Sequence, residues 1–303
     1  MATLARLLCF SFCSLAMVTV GCAGVPPAGD PHLLQEISAT AASVDGRVGA
    51  GVLNLDMGQV TLVRSDDRFP MHSVYKLPIA MAVLHEVDAE RWKLDQAIHI
   101  EPSDYVPQGV HSPLRERNGG RAADAAVIDL LRVMLIESDG TASDVLLREL
   151  GGPERVTSYL RSELKVDEVV VATTEREMAA DEMVQYRNWS TPRGMLKLLR
   201  LVHEGRALSK ASNLILMRLM IESTTGPRRL KGLLPPCVVA HKTGTAPTVN
   251  GLTRATNDVG LIQLPSGAWM AVVVFVSDSR ADTAARERVI ARVARAAWDR
   301  YAR

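Results

Sequence analysis

The stretch MHSVYKLPIAMAV, residues 71–83, holds a serine and a lysine three positions apart at the start of an apolar run. On a helix this spacing puts Lys76 one turn from Ser73 on the same face. A serine hydroxyl is a weak nucleophile until a base takes its proton, and a lysine amine in a partly desolvated pocket can act in that way. Ser73 is therefore a candidate nucleophile. An amphipathic helix with Ser73 near its N-cap and a solvated Lys76 fits the same residues, so partner motifs must decide.

The composition indicates a globular chain without a bias towards acidic or basic partners. The 303 residues are 47% hydrophobic and 23% charged, enough to bury a full core as one large domain or two interleaved ones. Lysine and arginine total 35 against 34 aspartates and glutamates, a formal charge of +1. This balance gives no reason to expect nucleic acid or an anionic membrane as a partner.

The N-terminus has the pattern of an export signal. A basic region ends at Arg6, and residues 7–20 form an apolar stretch too short to span a bilayer comfortably. One cleavage would remove the signal 1–23 between small residues. The other, before Cys22, resembles a lipoprotein site; it would remove 1–21 and leave a lipid anchor on Cys22. An uncleaved anchor is the third alternative, and all three predict an exported, periplasmic protein.

Few cysteines remain in the mature chain. Cys9 and Cys13 lie in the signal, Cys22 is removed or lipid-modified, and Cys237 is left alone. A single thiol forms no intrachain disulfide, so we expect the core to supply the stability of the domain.

The order of helical and strand patterns predicts an α/β (α+β) fold. Helical signals cover a first helix from Asp30 and Pro31, a block between Ser73 and about Ser223, and a last helix; strand signals occur before and after that block. The predicted helices are 30–41, 123–136, 141–150, 153–160, 191–202 and 283–301, and the predicted strands are 47–55, 60–63, 238–245, 256–264 and 268–276. We expect an antiparallel five-stranded sheet, flanked by the N- and C-terminal helices, with an all-helical subdomain beside it.

Two further motifs lie on predicted elements that could meet Ser73. Ser138-Asp139-Gly140 forms a short turn between two helices, and alone it is a common turn sequence. Residues 241–245, His-Lys-Thr-Gly-Thr, end a late strand. The glycine there permits close approach to the backbone, and the threonines can hydrogen-bond an anion. Alone, this segment could equally be an edge strand protected by its lysine.

Taken together, the three motifs resemble those of one superfamily. Ser-x-x-Lys on a helix, Ser-Asp at a helix–helix turn and Lys-Thr-Gly on a late strand form the signature set of penicillin-recognising serine enzymes. The resemblance is specifically to class A β-lactamases and extends from about Asp30 to the C-terminus. It implies the β-lactamase/transpeptidase-like fold, with the domain 30–303 divided into an α/β part, 30–70 plus 226–303, and a helical part, 71–225.

One loop separates class A from its penicillin-binding relatives. That loop, about residues 173–188, carries Thr-Thr-Glu-Arg-Glu-Met, and Gln-Tyr-Arg-Asn-Trp follows at 185–189; it resembles the branch that contains many extended-spectrum enzymes. In that pattern Glu175 matches the general base. Glu177 is the competing candidate.

The resemblance implies a mechanism on these residues. Ser73 would attack the lactam carbonyl and form an acyl-enzyme, with Lys76, or Glu175 through a water, taking its proton. Ser138 would pass a proton to the departing lactam nitrogen, helped by Lys242. Glu175 would then activate the water that hydrolyses the acyl-enzyme. No cofactor or metal is implied, and we expect a monomer.

Substrate binding is assigned in the same way. Thr243, Gly244 and Thr245 lie on the strand that would hold the substrate carboxylate, and the N–H of Thr245 would share an oxyanion hole with that of Ser73. An arginine should assist. In Arg228-Arg229-Leu230-Lys231 the spacing favours Arg229 over Arg228, and a surface arginine without a role is the alternative.

The sequence also departs from the class A pattern. His111 falls where many relatives place an aromatic at the cleft mouth, although an exposed loop histidine fits as well. Gly140 replaces the usual asparagine of the Ser-Asp turn, and Ala179 replaces an asparagine or histidine that helps to fix the deacylating water. His72 replaces the cysteine that some carbapenem-hydrolysing relatives pair in a disulfide, so Cys237 stays free.

Three functions fit these motifs. The first is a β-lactam hydrolase that confers antibiotic resistance. The second, a D-alanyl-D-alanine peptidase, would share the serines and lysines but would not need Glu175. The third is a penicillin-binding protein that stops at the acyl-enzyme, which the loss of side chains at Gly140 and Ala179 favours. We expect the first.

Overall fold

The computed structural model describes residues 29–302, so the predicted export signal and Cys22 lie outside the described residues. Within this range the α-helices are α1 (Pro31–Ala42), α2 (Lys76–Asp88), α3 (Pro113–Asn118), α4 (Val127–Ile136), α5 (Gly140–Leu150), α6 (Pro153–Ser162), α7 (Glu175–Ala180), α8 (Pro192–His203), α9 (Lys210–Ile221) and α10 (Thr283–Tyr301). The strands are β1 (Arg47–Asn54), β2 (Val60–Val63), β3 (Phe69–Pro70), β4 (Ala97–Ile100), β5 (Ala123–Ala126), β6 (Val169–Val170), β7 (Trp189–Ser190), β8 (Val239–Thr245), β9 (Thr248–Val249), β10 (Leu252–Thr253), β11 (Thr256–Gln263) and β12 (Trp269–Ser277).

The main sheet has five strands in the order β2-β1-β12-β11-β8. All four pairings are antiparallel; Gly51 lies opposite Val273 in the centre and Lys242 opposite Val259 at the β8 edge. The sheet therefore combines both ends of the chain, and β8 is an edge strand. The predicted fold class is confirmed.

Both faces of the sheet are covered. Along β12, Val272, Val274 and Val276 pack with the core beneath α1 and α10, whereas Val273 and Phe275 pack with the helical block. Successive residues of a strand point to opposite faces, and this explains why β12 reads as an unbroken apolar run rather than an alternating one.

The predicted helix starts are also confirmed. The Asp30 carboxylate accepts the N–H of Leu33 at the start of α1, and Pro31 is the first helical residue. Thr191 caps α8 in the same way, with Pro192 following. Capping satisfies N–H groups that have no partner inside the helix, and it fixes where these helices begin.

The predicted helix 123–136 is wrong in its first four residues. Ala123–Ala126 form β5 and pair with Ala97–Ile100, and α4 begins only at Val127. Cross-strand pairing overrides the helical propensity of the three alanines in this segment. A second small sheet has the order β3-β7-β6, and its strands β6 and β7 also lie within the part of the chain that we expected to be almost entirely helical.

Helix α2 forms the centre of the helical block. Its residues from Lys76 to Leu84 are all buried, and α4, α5, α6 and α9 contact it. Its first residue faces the β8 edge of the sheet, where the two parts of the fold meet. In the range 29–302, none of the helices combines the length and the apolarity that a membrane crossing requires.

Candidate active site

The Ser73 hydroxyl and the Lys76 amine meet as the sequence spacing predicts, although the local structure differs. Ser73 lies in a 3₁₀ turn, His72–Tyr75, and Lys76 is the first residue of α2. Lys76 Nζ donates to Ser73 Oγ at 2.9 Å and to the carbonyl of Ser138 at 2.9 Å. It also lies 2.7 Å from Glu175 Oε1, and the side chains of this pair are only 1% and 7% exposed. One buried ammonium thus contacts three separate segments.

Glu175 and Glu177, the two candidates for the general base, have different surroundings. Glu177 closes a capping box with Thr174 at the start of α7, in which its carboxylate accepts the Thr174 N–H. Glu175 points to Lys76. Burial by itself would raise the pKa of Glu175, but the Lys76 ammonium, with help from His72 and Lys242, lowers it overall, so Glu175 is ionised at neutral pH.

Ser138 and Lys242 form a second hydroxyl–ammonium contact. Ser138 adopts a left-handed conformation with φ 65°, and the next residue, Asp139, caps α5 through Ala142 N–H at 2.8 Å. Lys242 Nζ donates to Ser138 Oγ at 2.9 Å and to its neighbour's carbonyl, Thr243 O, at 2.9 Å. Burial and then the nearby Lys76 lower the pKa of Lys242 well below its usual value.

Strand β8 lies directly against the turn that carries Ser73. A Cβ at Gly244 would lie 2.3 Å from the carbonyl oxygen of Met71 and 3.3 Å from the amide nitrogen of Ser73. Real Cβ atoms do not approach so closely, and only glycine lets the two backbones pack together here. This contact places the end of β8, at Thr245, against the backbone of the turn that carries Ser73.

Arg229, not Arg228, faces the cleft. Its guanidinium is 6% exposed and donates to Thr245 Oγ1 at 2.7 Å and to the carbonyls of Gly244 and Asn257 at 3.1 and 2.9 Å. Arg228 is 76% exposed and pairs with Glu287. Five potential donors on a planar group suit several acceptors and a carboxylate at once.

One cleft of about 440 Å³ lies between the helical block and β8; Lys76 and Thr243 line it, whereas Lys242 and Gly244 do not. Its lining includes Ser73, Ser138, Glu175, Arg229 and Thr245. His111 is an exposed loop residue that lines the cleft, and its ring is bonded to the Glu137 carbonyl at 2.9 Å. Among residues 29–302, no group of three histidines, cysteines, aspartates or glutamates is arranged to hold a metal ion.

Comparison with known proteins identifies the family. A model of the beta-lactamase enzyme family matches residues 32–301. The chain is a member of this family. The class A resemblance that the three motifs predicted is confirmed, and with it the prediction of a hydrolase acting on β-lactams.

Relatives of this β-lactamase include the extended-spectrum beta-lactamase PER-1 of Pseudomonas aeruginosa. PER-1 is 38% identical over 272 residues, which cover 89% of this chain and 88% of that protein. Beta-lactamase VEB-1 of the same species is 36% identical, with 89% and 90% covered. The crystal structure of a beta-lactamase from Chitinophaga pinensis is 42% identical, with a TM-score of 0.86 and with 89% of this chain and 99% of that chain covered.

Sequence reasoning missed three residues of this β-lactamase site. Asn257 donates to the carbonyls of Pro70 and Met71 at 2.8 and 3.0 Å and so ties β11 to the segment before Ser73. Thr225 Oγ1 lies 2.6 Å from Thr243 Oγ1, and Asp144 binds the start of α7. Each contact joins segments far apart in sequence, so no local spacing shows it; the one signal at Asp144 is a poor helix former inside a helix.

Proposed function

We propose that this chain hydrolyses the β-lactam amide of penicillin- and cephalosporin-type antibiotics through an acyl-enzyme on Ser73, and so confers resistance to them. The supporting observation is the position of Lys76 Nζ, 2.9 Å from the Ser73 hydroxyl and 2.7 Å from the Glu175 carboxylate. A nucleophile with a base in hydrogen-bond contact, and a third group holding that base, is the arrangement that nucleophilic catalysis needs.

In the acylation step, Ser73 Oγ attacks the lactam carbonyl carbon and its proton leaves. Either Lys76 in its neutral form, or Glu175 through a water, accepts this proton. The carbonyl oxygen becomes an oxyanion. We propose that the backbone N–H groups of Ser73 and Thr245 stabilise it; the close packing of Gly244 against the Ser73 backbone supports this.

Collapse of the tetrahedral intermediate breaks the lactam C–N bond, and the nitrogen must receive a proton. Ser138 Oγ is the donor we propose, because Lys242 Nζ contacts it at 2.9 Å and can replace the proton. The lowered pKa of Lys242 makes its ammonium a better acid than an ordinary lysine. The product of this step is the ester on Ser73.

Glu175 then acts in deacylation. Its carboxylate, ionised at neutral pH, takes a proton from a water that attacks the ester carbonyl, and the Ser73 oxygen leaves and regains its proton. The substrate carboxylate is held by Arg229 and by the Thr243 and Thr245 hydroxyls, which border the same part of the cleft.

The test is hydrolysis of a chromogenic cephalosporin by the purified mature protein, repeated with a penicillin and a carbapenem. We expect steady turnover. A single stoichiometric burst without further turnover would instead favour the slow penicillin-binding protein, and hydrolysis of a D-alanyl-D-alanine peptide without lactam turnover would favour the peptidase. Ser73→Ala should abolish labelling by a fluorescent penicillin; labelling that survives would remove Ser73 as the nucleophile.

Export belongs to the same proposal. We infer that the protein works in the periplasm as a monomer, released by cleavage of the signal 1–23 or held at the membrane by a lipid on Cys22. Mass spectrometry of the mature protein separates these alternatives, because a lipid adds a mass that simple cleavage does not. Light scattering measures the oligomeric state.

A further inference from the structure

One wall of the cleft carries a carboxylate that the mechanism above does not use. The 3₁₀ turn Glu182–Arg187 lies in the loop that also carries the proposed general base, and two of its residues, Glu182 and Gln185, line the cleft. Ala246 and Pro247, which follow β8 directly, line it as well. None of these four residues takes part in the chemistry at the serine or in the proposed binding of the substrate carboxylate.

An ion pair joins this turn to the segment beside the end of β8. Arg254 Nη2 donates to Glu182 Oε1 at 2.7 Å, and the residue after Arg254, Ala255, accepts the N–H of Ala246 at 2.9 Å. Glu182 lines the cleft, whereas Arg254 does not. The wall therefore presents the carboxylate to a bound substrate, with the guanidinium outside the lining.

Glu182 keeps one oxygen available for a ligand. Its bond to Arg254 uses Oε1, and no donor in the described part of the chain is bonded to Oε2. The side chain is 37% exposed, so a molecule in the cleft can reach it. An ionised carboxylate accepts several hydrogen bonds, and one guanidinium contact leaves room for a second cationic donor.

Gln185 adds an acceptor that has no partner. Its Nε2 donates to the backbone carbonyl of Glu182 at 2.6 Å, which fixes the orientation of the amide because only the nitrogen can donate. The other end of the amide, Oε1, is buried without a donor among residues 29–302, and the residue is only 3% exposed. A buried acceptor without a donor is costly. A donor bound at this wall would relieve that cost.

The position of this wall matches one substituent of a β-lactam. The carboxylate of a penicillin or cephalosporin lies on the ring fused to the lactam, where we propose that Arg229 and Thr243 hold it. The acyl side chain leaves the opposite side of the lactam, from the carbon next to the carbonyl that Ser73 attacks. With the carbonyl at Ser73 and the carboxylate at Arg229, the acyl side chain is directed to the wall that contains Glu182 and Gln185.

We propose that Glu182 and Gln185 form a subsite for a positively charged amino group on the acyl side chain of the substrate. The proposal deepens the hydrolase function proposed above and rests on it. The favoured substrate class is then a zwitterionic β-lactam, whose carboxylate pairs with Arg229 while its ammonium group donates to Glu182. A charge-assisted hydrogen bond to a carboxylate is stronger than a neutral one, so Glu182 supplies most of the preference.

The test uses ampicillin and benzylpenicillin, two penicillins that differ by a single amino group on the acyl side chain. The ratio of their kcat/KM values isolates the contribution of that group, because a general loosening of the loop affects both substrates alike. Glu182→Gln keeps the shape and an acceptor but removes the charge. We expect it to lower the ratio of ampicillin to benzylpenicillin about 3- to 10-fold. Gln185→Met removes the unpartnered acceptor and should lower the ratio about two- to threefold.

Arg254→Met is the matched control. It breaks the same ion pair as Glu182→Gln and so loosens the loop to a similar extent, but it leaves the acceptors of the subsite in place. Without the guanidinium, the whole charge of Glu182 becomes available to the substrate. We expect the ratio of ampicillin to benzylpenicillin to rise about two- to fivefold, opposite in direction to the change in Glu182→Gln.

The possible results separate this inference from the proposed function. An unchanged ratio in Glu182→Gln or in Gln185→Met, or a shift in the same direction in Glu182→Gln and Arg254→Met, would overturn the subsite and leave the hydrolase intact. A wild-type enzyme that turns over neither penicillin would overturn both. Turnover of both penicillins, with ratios that fall in Glu182→Gln and Gln185→Met and rise in Arg254→Met, supports the subsite.

Discussion

Truncation of Arg229 should weaken the preference of this enzyme for substrates that carry a carboxylate. Arg229 is nearly buried, and one of its guanidinium nitrogens already donates to the Thr245 hydroxyl at the edge of the cleft. A carboxylate bound beside Thr245 would receive charge-assisted hydrogen bonds from the same group. Arg229→Ala deletes these bonds and leaves the Gly244 and Asn257 carbonyls without this donor.

The size of the effect follows from the kind of bond lost. A hydrogen bond to a charged group contributes about 1.5–3 kcal/mol, and kcat/KM for a carboxylate substrate should therefore fall about 10- to 150-fold. Arg229→Lys should lie in between, because an ammonium keeps the charge but lacks the fork geometry. Arg228→Ala is the matched control: its side chain is 76% exposed, and such surface changes stay within about 0.5 kcal/mol.

The assay must separate binding from structural damage, since the lost backbone contacts also loosen the 226–232 turn. We would measure kcat/KM for a cephalosporin and for its carboxylate methyl ester with each variant. Loosening affects both substrates alike, so the ratio of acid to ester isolates the carboxylate contact. The ratio should be large in the wild type and in Arg228→Ala and should fall about 10- to 150-fold in Arg229→Ala. If Arg229→Ala retained the wild-type ratio, Arg229 would not bind the carboxylate.

Three further predictions follow from the charges and the packing of the site. Glu175→Gln should lower kcat about 10²- to 10⁴-fold, as the loss of a general base does, with acyl-enzyme visible by mass spectrometry; unchanged turnover would remove Glu175 as the base. Gly140→Asn should lower both kcat and thermal stability, because a Cβ there lies 3.1 Å from His111 O and 3.4 Å from Glu175 Cγ, and overpacking costs about 1–3 kcal/mol; a gain in both would refute this. The pKa of the Asp144 carboxyl is raised from 3.8 to about 7, so this group favours the folded state below pH 4, and that contribution is lost as the pH rises through 7. Between pH 4 and 8 the free energy of unfolding of the wild type should therefore fall by up to about 4 kcal/mol more than that of Asp144→Asn. Denaturant titrations measure this difference, and parallel pH curves for the two proteins would contradict it.

The sheet and the helix starts could be predicted because their signals are local. The apolar run of β12, covered on both faces, and the Asp30 and Thr191 caps are visible in the sequence itself. The short strand Ala123–Ala126 could not be predicted, since its conformation depends on a partner strand more than 20 positions earlier. Alanine favours helices and is depleted in strands, so the local propensity points away from a strand.

The residues of the site also divide into those with local signals in the sequence and those that depend on distant contacts. Ser73 and Lys76 are three residues apart, and their contact follows from the turn that connects them. The choice of Glu175 over Glu177 needed the fold, because it depends on which carboxylate caps α7 and which one reaches Lys76. Asp144 acts only through a contact across 31 residues, and nothing in its neighbourhood of the sequence points to Glu175.

The two lysines of the site differ in whether a carboxylate counterion lies beside them, and this difference bears on which substrates bind. Lys76 has Glu175 as its counterion at 2.7 Å. Lys242 is fully buried and donates to a hydroxyl and a carbonyl, but within residues 29–302 no carboxylate oxygen lies within 4.0 Å of its Nζ. A buried ammonium without a counterion is destabilising. Burial accordingly lowers the pKa of Lys242, which favours its neutral form. A substrate carboxylate bound beside Thr243 would supply the missing negative charge. Binding would then favour the protonated form of Lys242, which is the form that can replace the proton Ser138 gives to the lactam nitrogen.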